Sequence, residues 1–538
     1  MLILEPIAIF TFPLIAFLIF SAFRLEIAVC ASFLFGYLLL PPRYVLNIPL
    51  LPDISKSSIV SISVAAAAML WVQSQRSIAR TSRTSRLDEK AMLPGLLPRS
   101  SLLLICLAVL LVAPVGTWLV NMQGISLPDH FVPALSAYDA ASMLQSTVLS
   151  LIPFFLGRKF LATDEGNRVL VFSVVTAGLL YSLPTLAEVR LSPQIHNWTY
   201  GYFQHSWLQH RRGDGFRPVV YLSHALELGL FLVVAIIACF GAMRSTNGDR
   251  RILFLVAGFY LLAVLVLAKS LGALLIALTL LPVILFLPVR LVVYAAAVLA
   301  FVVLLFPLVR ATGISPFAAV SALIEPFAPG RADSLNYRLL QENEMLENVL
   351  RKPIFGWGGY GRMMTVPEEE LATTVRDGFW LIRFGERGFA GYMSFLGLVT
   401  IPILALAARA RHYNLSITTA ALALALGANL IDLIPNSSLT LLTLLMGGAL
   451  AGRLEIALGR VDVGQQSETR SDGALNSPAL ARNRAQSARK GRQVAREGST
   501  LGKTATDDVP SRKAVAHQTG PSYSRFAPRQ IRRRETTR

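Results

Sequence analysis

Apolar runs of 16 to 25 residues recur from one end of the chain almost to the other, about the length that crosses a bilayer as a single α-helix. No other feature restricts the fold as strongly, because inside hydrocarbon every backbone N–H and C=O must find its partner within the segment. Thirteen candidate spans follow, near 5–21, 25–40, 58–73, 101–119, 140–157, 168–187, 218–242, 252–268, 270–288, 291–308, 388–408, 414–434 and 437–456. With 15% of its 538 residues charged and 54% hydrophobic, the chain reads as an all-α polytopic membrane protein of about 12–13 transmembrane helices.

Charge between the spans sets their direction, since short loops rich in Lys and Arg stay on the cytoplasmic side. Arg76, Arg80, Arg83, Arg86, Lys90 and Arg99 place 74–100 inside, and counting from there puts Arg24, Arg158, Lys159, Arg244, Arg251, Arg290, Arg409 and Arg411 inside as well. The N-terminus then lies outside. So do three polar segments, 120–138, 188–217 and 309–387, the last a large loop with helical character. The first apolar run lacks a basic leader and a small-residue cleavage site, which predicts a retained span. Cys30, Cys106 and Cys239 all fall inside apolar runs and imply neither disulfides nor a thiolate metal site.

The membrane domain covers 1–460, and composition changes sharply after it. Residues 461–538 carry 16 Lys/Arg against 7 Asp/Glu, an excess that is half of the formal +18 of the chain. A disordered basic cytoplasmic tail is predicted. Aromatics are nearly absent from it, which argues against nucleic acid and for, at most, a tether to anionic membrane lipid.

Two outer segments hold the candidate chemistry. In 188–217, His196, His205, His210, Arg211, Arg212 and Arg217 face only Glu188 and Asp214, a positive cluster on the side where positive charge is disfavoured. Guanidinium groups grip phosphate oxygens bidentately, so the cluster suits a pyrophosphate at headgroup depth; the bland alternative is a solvated loop. The histidine spacing does not suit zinc, and solvated imidazoles are expected. His224 and Glu227 open the next span, where ionisable groups are costly enough to suggest function. In 309–387, Leu335, Leu339, Leu346, Val349 and Leu350 form a helical stripe that Pro353 ends, with Arg338 at its edge and Glu342 one turn on as the ordinary partner. Gly356, Gly358, Gly359 and Gly361 then read as a cradle that a ligand approaches closely. Arg376, Asp377, Arg383, Glu386 and Arg387 crowd the entrance to the following span. Lys269-Ser270 interrupts two apolar runs, where the lysine either snorkels or meets substrate.

Arg338, then Pro353-Ile-Phe-Gly356-Trp-Gly358-Gly-Tyr-Gly361, then Asp377-Gly-Phe-Trp-Leu-Ile-Arg-Phe-Gly-Glu386-Arg-Gly388-Phe-Ala-Gly391 resemble the bacterial O-antigen ligase and Wzy-type polysaccharide polymerase superfamily over about residues 100–455. Arg212-Gly-Asp-Gly215-Phe216-Arg-Pro218 and Lys269-Ser270 look like two further, weaker echoes. Asp377-Gly378 stands where that family has a His-Asn pair.

The resemblance implies an inner-membrane glycosyltransferase with a periplasmic site, acting on polyprenyl-pyrophosphate-linked glycan to polymerise or transfer a surface polysaccharide or exopolysaccharide. It implies no cofactor and no metal, a cytoplasmic C-terminus, and other polysaccharide-assembly proteins as partners. Arg338 with Arg212 or Arg217 would bind the leaving pyrophosphate, Arg211, Arg376, Gly356, Gly358 and Gly361 would line the site, and Asp377, or after it His224, would be the base. A non-catalytic assembly subunit and a lipid or solute transporter are the competing readings.

Overall fold

The computed structural model describes residues 4–46, 54–81, 92–126, 131–204, 207, 210–212, 215–314, 321–323, 325–326, 329–363, 378–437 and 439–459. All of them belong to one unit, Met1–Gln465; the expected basic tail from 461 onward lies outside the described residues.

Helices form at each of the thirteen predicted places. The first six are α1 (Leu4–Ala22), α2 (Leu25–Leu39), α3 (Lys56–Thr81), α4 (Ser101–Leu119), α5 (Ala137–Phe160) and α6 (Asp164–Leu191). After a single short turn of helix, α7 (Ile195–Tyr200), come α8 (Ala225–Arg244), α9 (Asp249–Leu267), α10 (Leu271–Phe286) and α11 (Val289–Ala311). The amphipathic α12 (Pro329–Val349) precedes α13 (Phe379–Ala408), α14 (Ile417–Asp432) and α15 (Leu441–Ala457). Three two-residue antiparallel ladders sit between helices: β1 (Val45–Leu46) with β2 (Ile54–Ser55), β3 (Ile125–Ser126) with β4 (Phe131–Val132), and β5 (Arg211–Arg212) with β6 (Gly215–Phe216).

Among the described residues, nine helices are long and apolar enough to cross a membrane by length and composition: α1, α3 to α6, α8, α9, α11 and α13. Four others fall short of the expected 12–13 spans, because α2, α10, α14 and α15 have 15, 16, 16 and 17 residues. At 1.5 Å per residue they reach roughly 22–26 Å, against about 30 Å of hydrocarbon. For α14 and α15 the reason is visible: nearly every residue is buried, so their apolar character serves the interior and not the lipid. The almost wholly buried α8, apolar between Glu227 and Arg244, is likewise enclosed, by α6, α9, α10 and α14. The outer helices turn Leu102, Val112, Leu180, Leu253 and Phe286 outward, as surfaces facing lipid must.

The bundle has two unlike ends. At one, the basic loops meet: Arg158 and Glu455 pair, Arg453 reaches Asp164 at 2.7 Å, and Arg244 donates to the carbonyls of Ile284 and Leu287 at 2.8 Å each. At the other gather the three β-ladders, α7, α12, the glycine-rich segment and the starts of α3, α5, α8, α13 and α15. This segregation matches the expected loop pattern. On α12, Leu339, Leu346 and Val349 are buried together with Met345, as the stripe predicted, while Leu350 just past the helix end is exposed.

Candidate functional site

The glycine-rich segment is fixed by a break in a membrane helix. Within α13, Gly388 has φ 62° and ψ −171°, a conformation essentially confined to glycine, and the helix divides there. The break orphans backbone groups on both sides, and residues 353–358 satisfy them. Trp357 and Gly358 N–H donate to the carbonyls of Gly385 and Glu386 at 2.8 and 2.9 Å, while Phe389 and Ala390 N–H donate to Pro353 and Ile354 at 2.7 and 3.0 Å. A Cβ on Gly356 would strike Glu386, Arg387 and Gly388 backbone, and one on Gly388 would strike Ile354. The segment's own carbonyls go to α4: Thr117 Oγ1 donates to Phe355 O at 2.6 Å and Asn121 Nδ2 to Gly356 O at 2.9 Å. Gly356 and Gly358, expected to cradle a ligand, are thus taken up by packing chain against chain. Gly361, also left-handed at φ 68°, has open space around it.

The second outer segment folds as an aromatic cap pinned by Glu188. Its buried carboxylate accepts from the N–H of Ile195 at 3.0 Å and of Val219 and Val220 at 2.8 Å each. The expectation of solvated histidines is overturned for His196 and His210, both 0% exposed; His205 lies outside the described residues. The cause is the local wealth of aromatic rings. His196 stacks with Tyr200 and Tyr202 and donates from Nδ1 to Tyr202 O at 2.9 Å, while His210 packs on Phe203 and His224.

Burial holds the His196 imidazole at a pKa of about 4, below its usual value near 6.5. The unfolded chain therefore takes up a proton that the folded one refuses, so stability is full above pH 6.5 and declines as pH falls towards about 4, by roughly 3 kcal/mol at most. A His196→Asn variant, which keeps a donor for Tyr202 O, is expected to lose this share of the pH dependence. Melting both proteins in detergent at pH 7.5 and 5 measures it; parallel slopes would refute the assignment.

The two weak echoes in the sequence meet in space. Arg217, buried, donates to Ser270 Oγ at 3.2 Å, and the Lys269 ammonium lies against Gly215. Lys269 has left-handed backbone, φ 52°, at the α9–α10 turn and is exposed. Arg211 is exposed on β5. His224 is the N-cap of α8, its Nδ1 accepting from Leu226 N–H at 3.0 Å. That bond occupies the Nδ1 lone pair of the residue expected as the second candidate base. The side chains of Arg212 and Arg338, and all of Arg376 and Asp377, lie outside what is described. Glu342, expected to pair with Arg338, bonds Arg310 at 2.6 Å and ties α12 to the end of α11; burial raises its carboxyl pKa despite that partner.

One cleft at this end joins Glu227, Arg383, Glu386 and Arg387, which the sequence singled out, to groups that it did not. A chamber of about 490 Å³ is lined by Lys56, Glu227, Arg383 and Glu386 with Tyr37, Ser57, Ser150 and Ser223. Ser57, Ser150, Arg383 and Phe379 also line an adjoining chamber of about 240 Å³ that contains Arg387, Ser146 and Thr147. The Lys56 ammonium lies 5.8 Å from the Tyr37 ring centre, within the field of the Glu227 carboxylate. Glu227 is held by the backbone N–H of Ser223 at 3.0 Å and by the Ser223 hydroxyl. Arg383 meets Glu386 at 3.4 Å, and Arg387 donates to Thr147 Oγ1 at 2.6 Å. Gly391 makes room for the Arg387 side chain, as a Cβ there would strike it. Three cations, two carboxylates and a set of hydroxyls can bind a phosphate group and exchange a proton beside it. Lys56 escaped notice because it closes a Pro-rich connector; the available signal was a lone cation at the very start of a span.

A scan of protein-family models finds no match to the chain, and a search of curated proteins finds none either.

Proposed function

We propose that the protein is a membrane glycosyltransferase that draws on a polyprenyl-pyrophosphate-linked saccharide and polymerises or transfers a surface polysaccharide or exopolysaccharide, on the periplasmic side of a bacterial inner membrane. The resemblance in the sequence suggests the class. The observation that carries it is the convergence of Lys56, Arg383 and Arg387 on one cleft at the end of the bundle expected to face outward.

In this reading the bond from the anomeric carbon to the phosphate oxygen breaks, and charge grows on that oxygen within reach of Lys56 and Arg383. Cations fixed in place beforehand favour that transition state over the ground state. The acceptor hydroxyl attacks the anomeric carbon and gives its proton to a carboxylate, for which Glu227 is placed within the same chamber. A separate apolar groove of about 720 Å³ between α2 and α6, lined by Leu38, Leu39, Tyr181 and Pro184 among others, offers the polyprenyl chain a path.

The test is to delete the gene, identify the polysaccharide that shortens or disappears, and restore it with variants. Lys56→Gln and Arg383→Gln are each expected to lower its amount at least about tenfold at unchanged protein level. Wild-type polymer from both would sink the proposal.

One observation favours a transporter instead: α13 is discontinuous, as substrate-binding helices of transporters are. Here, however, the chain's own backbone occupies the break. Lipid-linked saccharide of full composition trapped on the cytoplasmic face of the deletion strain would mark that second reading.

A further inference from the structure

Beside the cationic chambers lies a third, of about 230 Å³, of quite different chemistry. Its polar lining is Ser55 from β2, Ser57 and Ser58 from the start of α3 and Ser142, Gln145 and Ser146 from α5, closed by Val45 and Leu149 and joined to the cleft at Ser57 and Ser150. None of its lining residues is charged. Its volume equals that of roughly eight liquid waters, comparable with about one pyranose ring.

The residues come from a pattern that membrane helices avoid without cause. Ser142, Gln145, Ser146 and Ser150 recur at helical spacing along α5, a polar stripe along the chamber on a helix otherwise apolar enough to span, with Ser142 and Ser146 exposed and Gln145 and Ser150 half-buried. Packing alone does not consume them. Ser146 and Ser150 donate to the Met143 and Thr147 carbonyls at 3.0 and 2.8 Å, which leaves their oxygen lone pairs to accept from elsewhere. Ser55 shares its hydroxyl with Ser57 at 3.2 Å and with Ser58 at 3.3 Å, a cluster of rotors able to donate or accept. Among the described residues, the side chains of Ser142 and Gln145 make no hydrogen bond within the protein, yet both line the chamber.

We infer that this chamber is a saccharide subsite, taking an uncharged sugar residue next to the one whose phosphate sits at Lys56 and Arg383. Neutral groups that both donate and accept match sugar hydroxyls, whereas a uronate or sulfated sugar would enter a lining that offers it no cation. Leu149 and Val45 give the apolar ring face a surface. The inference rests on the glycosyltransferase reading and adds to it the class of sugar next to the reacting unit.

The decisive variant is Gln145→Met, which keeps the side-chain length, suits a membrane helix better than glutamine, and removes both hydrogen-bonding groups. A packing role predicts no loss from it. The subsite predicts about tenfold less polymer, or a shift to shorter chains, at equal tagged protein in the membrane, and the same from Ser142→Val. Gln145→Asn should recover part of the loss. Wild-type chain length and amount in Gln145→Met and Ser142→Val, with polymer lost in Lys56→Gln, would overturn the subsite and leave the transfer reading standing. Wild-type polymer in Lys56→Gln and Arg383→Gln too would overturn both.

Discussion

Gly388→Val is expected to remove most correctly folded protein from the membrane. Valine cannot adopt the backbone angles at the break, a cost of roughly 1–3 kcal/mol by itself, and its Cβ would collide with the Ile354 carbonyl. Relief requires residues 353–358 to leave the break, which exposes four hydrogen bonds' worth of backbone, between Trp357 and Gly385, Gly358 and Glu386, Phe389 and Pro353, and Ala390 and Ile354. Away from water each orphaned group costs several kcal/mol, so the total exceeds about 5 kcal/mol and competes with the whole stability of an ordinary domain. Gly361→Ala provides the comparison, for Gly361 is also left-handed but has nothing within 4 Å of its would-be Cβ. It should cost only about 1 kcal/mol. Fluorescent fusions run on size-exclusion chromatography would compare the two. Equal monodisperse peaks would show that the break tolerates a side chain and that the glycine has some other purpose.

The same pair of glycines shows how far the sequence could be read. Apolar runs disclosed every helix long and apolar enough to span, because in a bilayer the hydrophobic run and the element are nearly one fact. Glycines clustered after Pro353 disclosed that backbone would approach something closely. What it approaches could not be read, since the partner, the break at Gly388, lies about thirty residues on and the span was expected to begin only there. The candidate site divides in the same way. Glu227, Arg383, Glu386 and Arg387 stood out as ionisable groups near span entrances, and Arg217 with Lys269 and Ser270 as neighbours in a resemblance. Lys56, Ser57, Gln145 and Ser150 did not stand out, because single polar residues at helix starts or on one face of α5 acquire meaning only when α3, α5, α8 and α13 converge. The histidines failed for a related reason: loop position predicts solvation, but an aromatic-rich loop folds on its own rings and takes His196 and His210 inside.

At the opposite end of the bundle, truncating either partner of the Arg158–Glu455 pair should cost about 3–5 kcal/mol. Both side chains are 0% exposed, joined through Nη2 to Oε2 at 2.6 Å and Nε to Oε1 at 2.9 Å. The pair clasps α5 to α15 where glycines let the two helices nearly touch: a Cβ on Gly448 would strike the Phe154 carbonyl and one on Gly452 the Arg158 carbonyl. Such closeness leaves no route for water to reach a lone charge, so Arg158→Ala strands a carboxylate and Glu455→Ala a guanidinium. Removing both together, as Arg158→Met with Glu455→Leu, strands no charge, and the loss should shrink to roughly 1–3 kcal/mol. It does not vanish, because Glu455 Oε1 also accepts from the Arg99 N–H at 2.9 Å and Arg158 donates to Gly95 O at 3.3 Å, bonds that hold the preceding basic loop against the bundle. Thermal unfolding of the purified protein in detergent should therefore rank the double variant above both single truncations. If its midpoint instead falls by the sum of the two, the residues act independently and the clasp between α5 and α15 rests on the glycines alone.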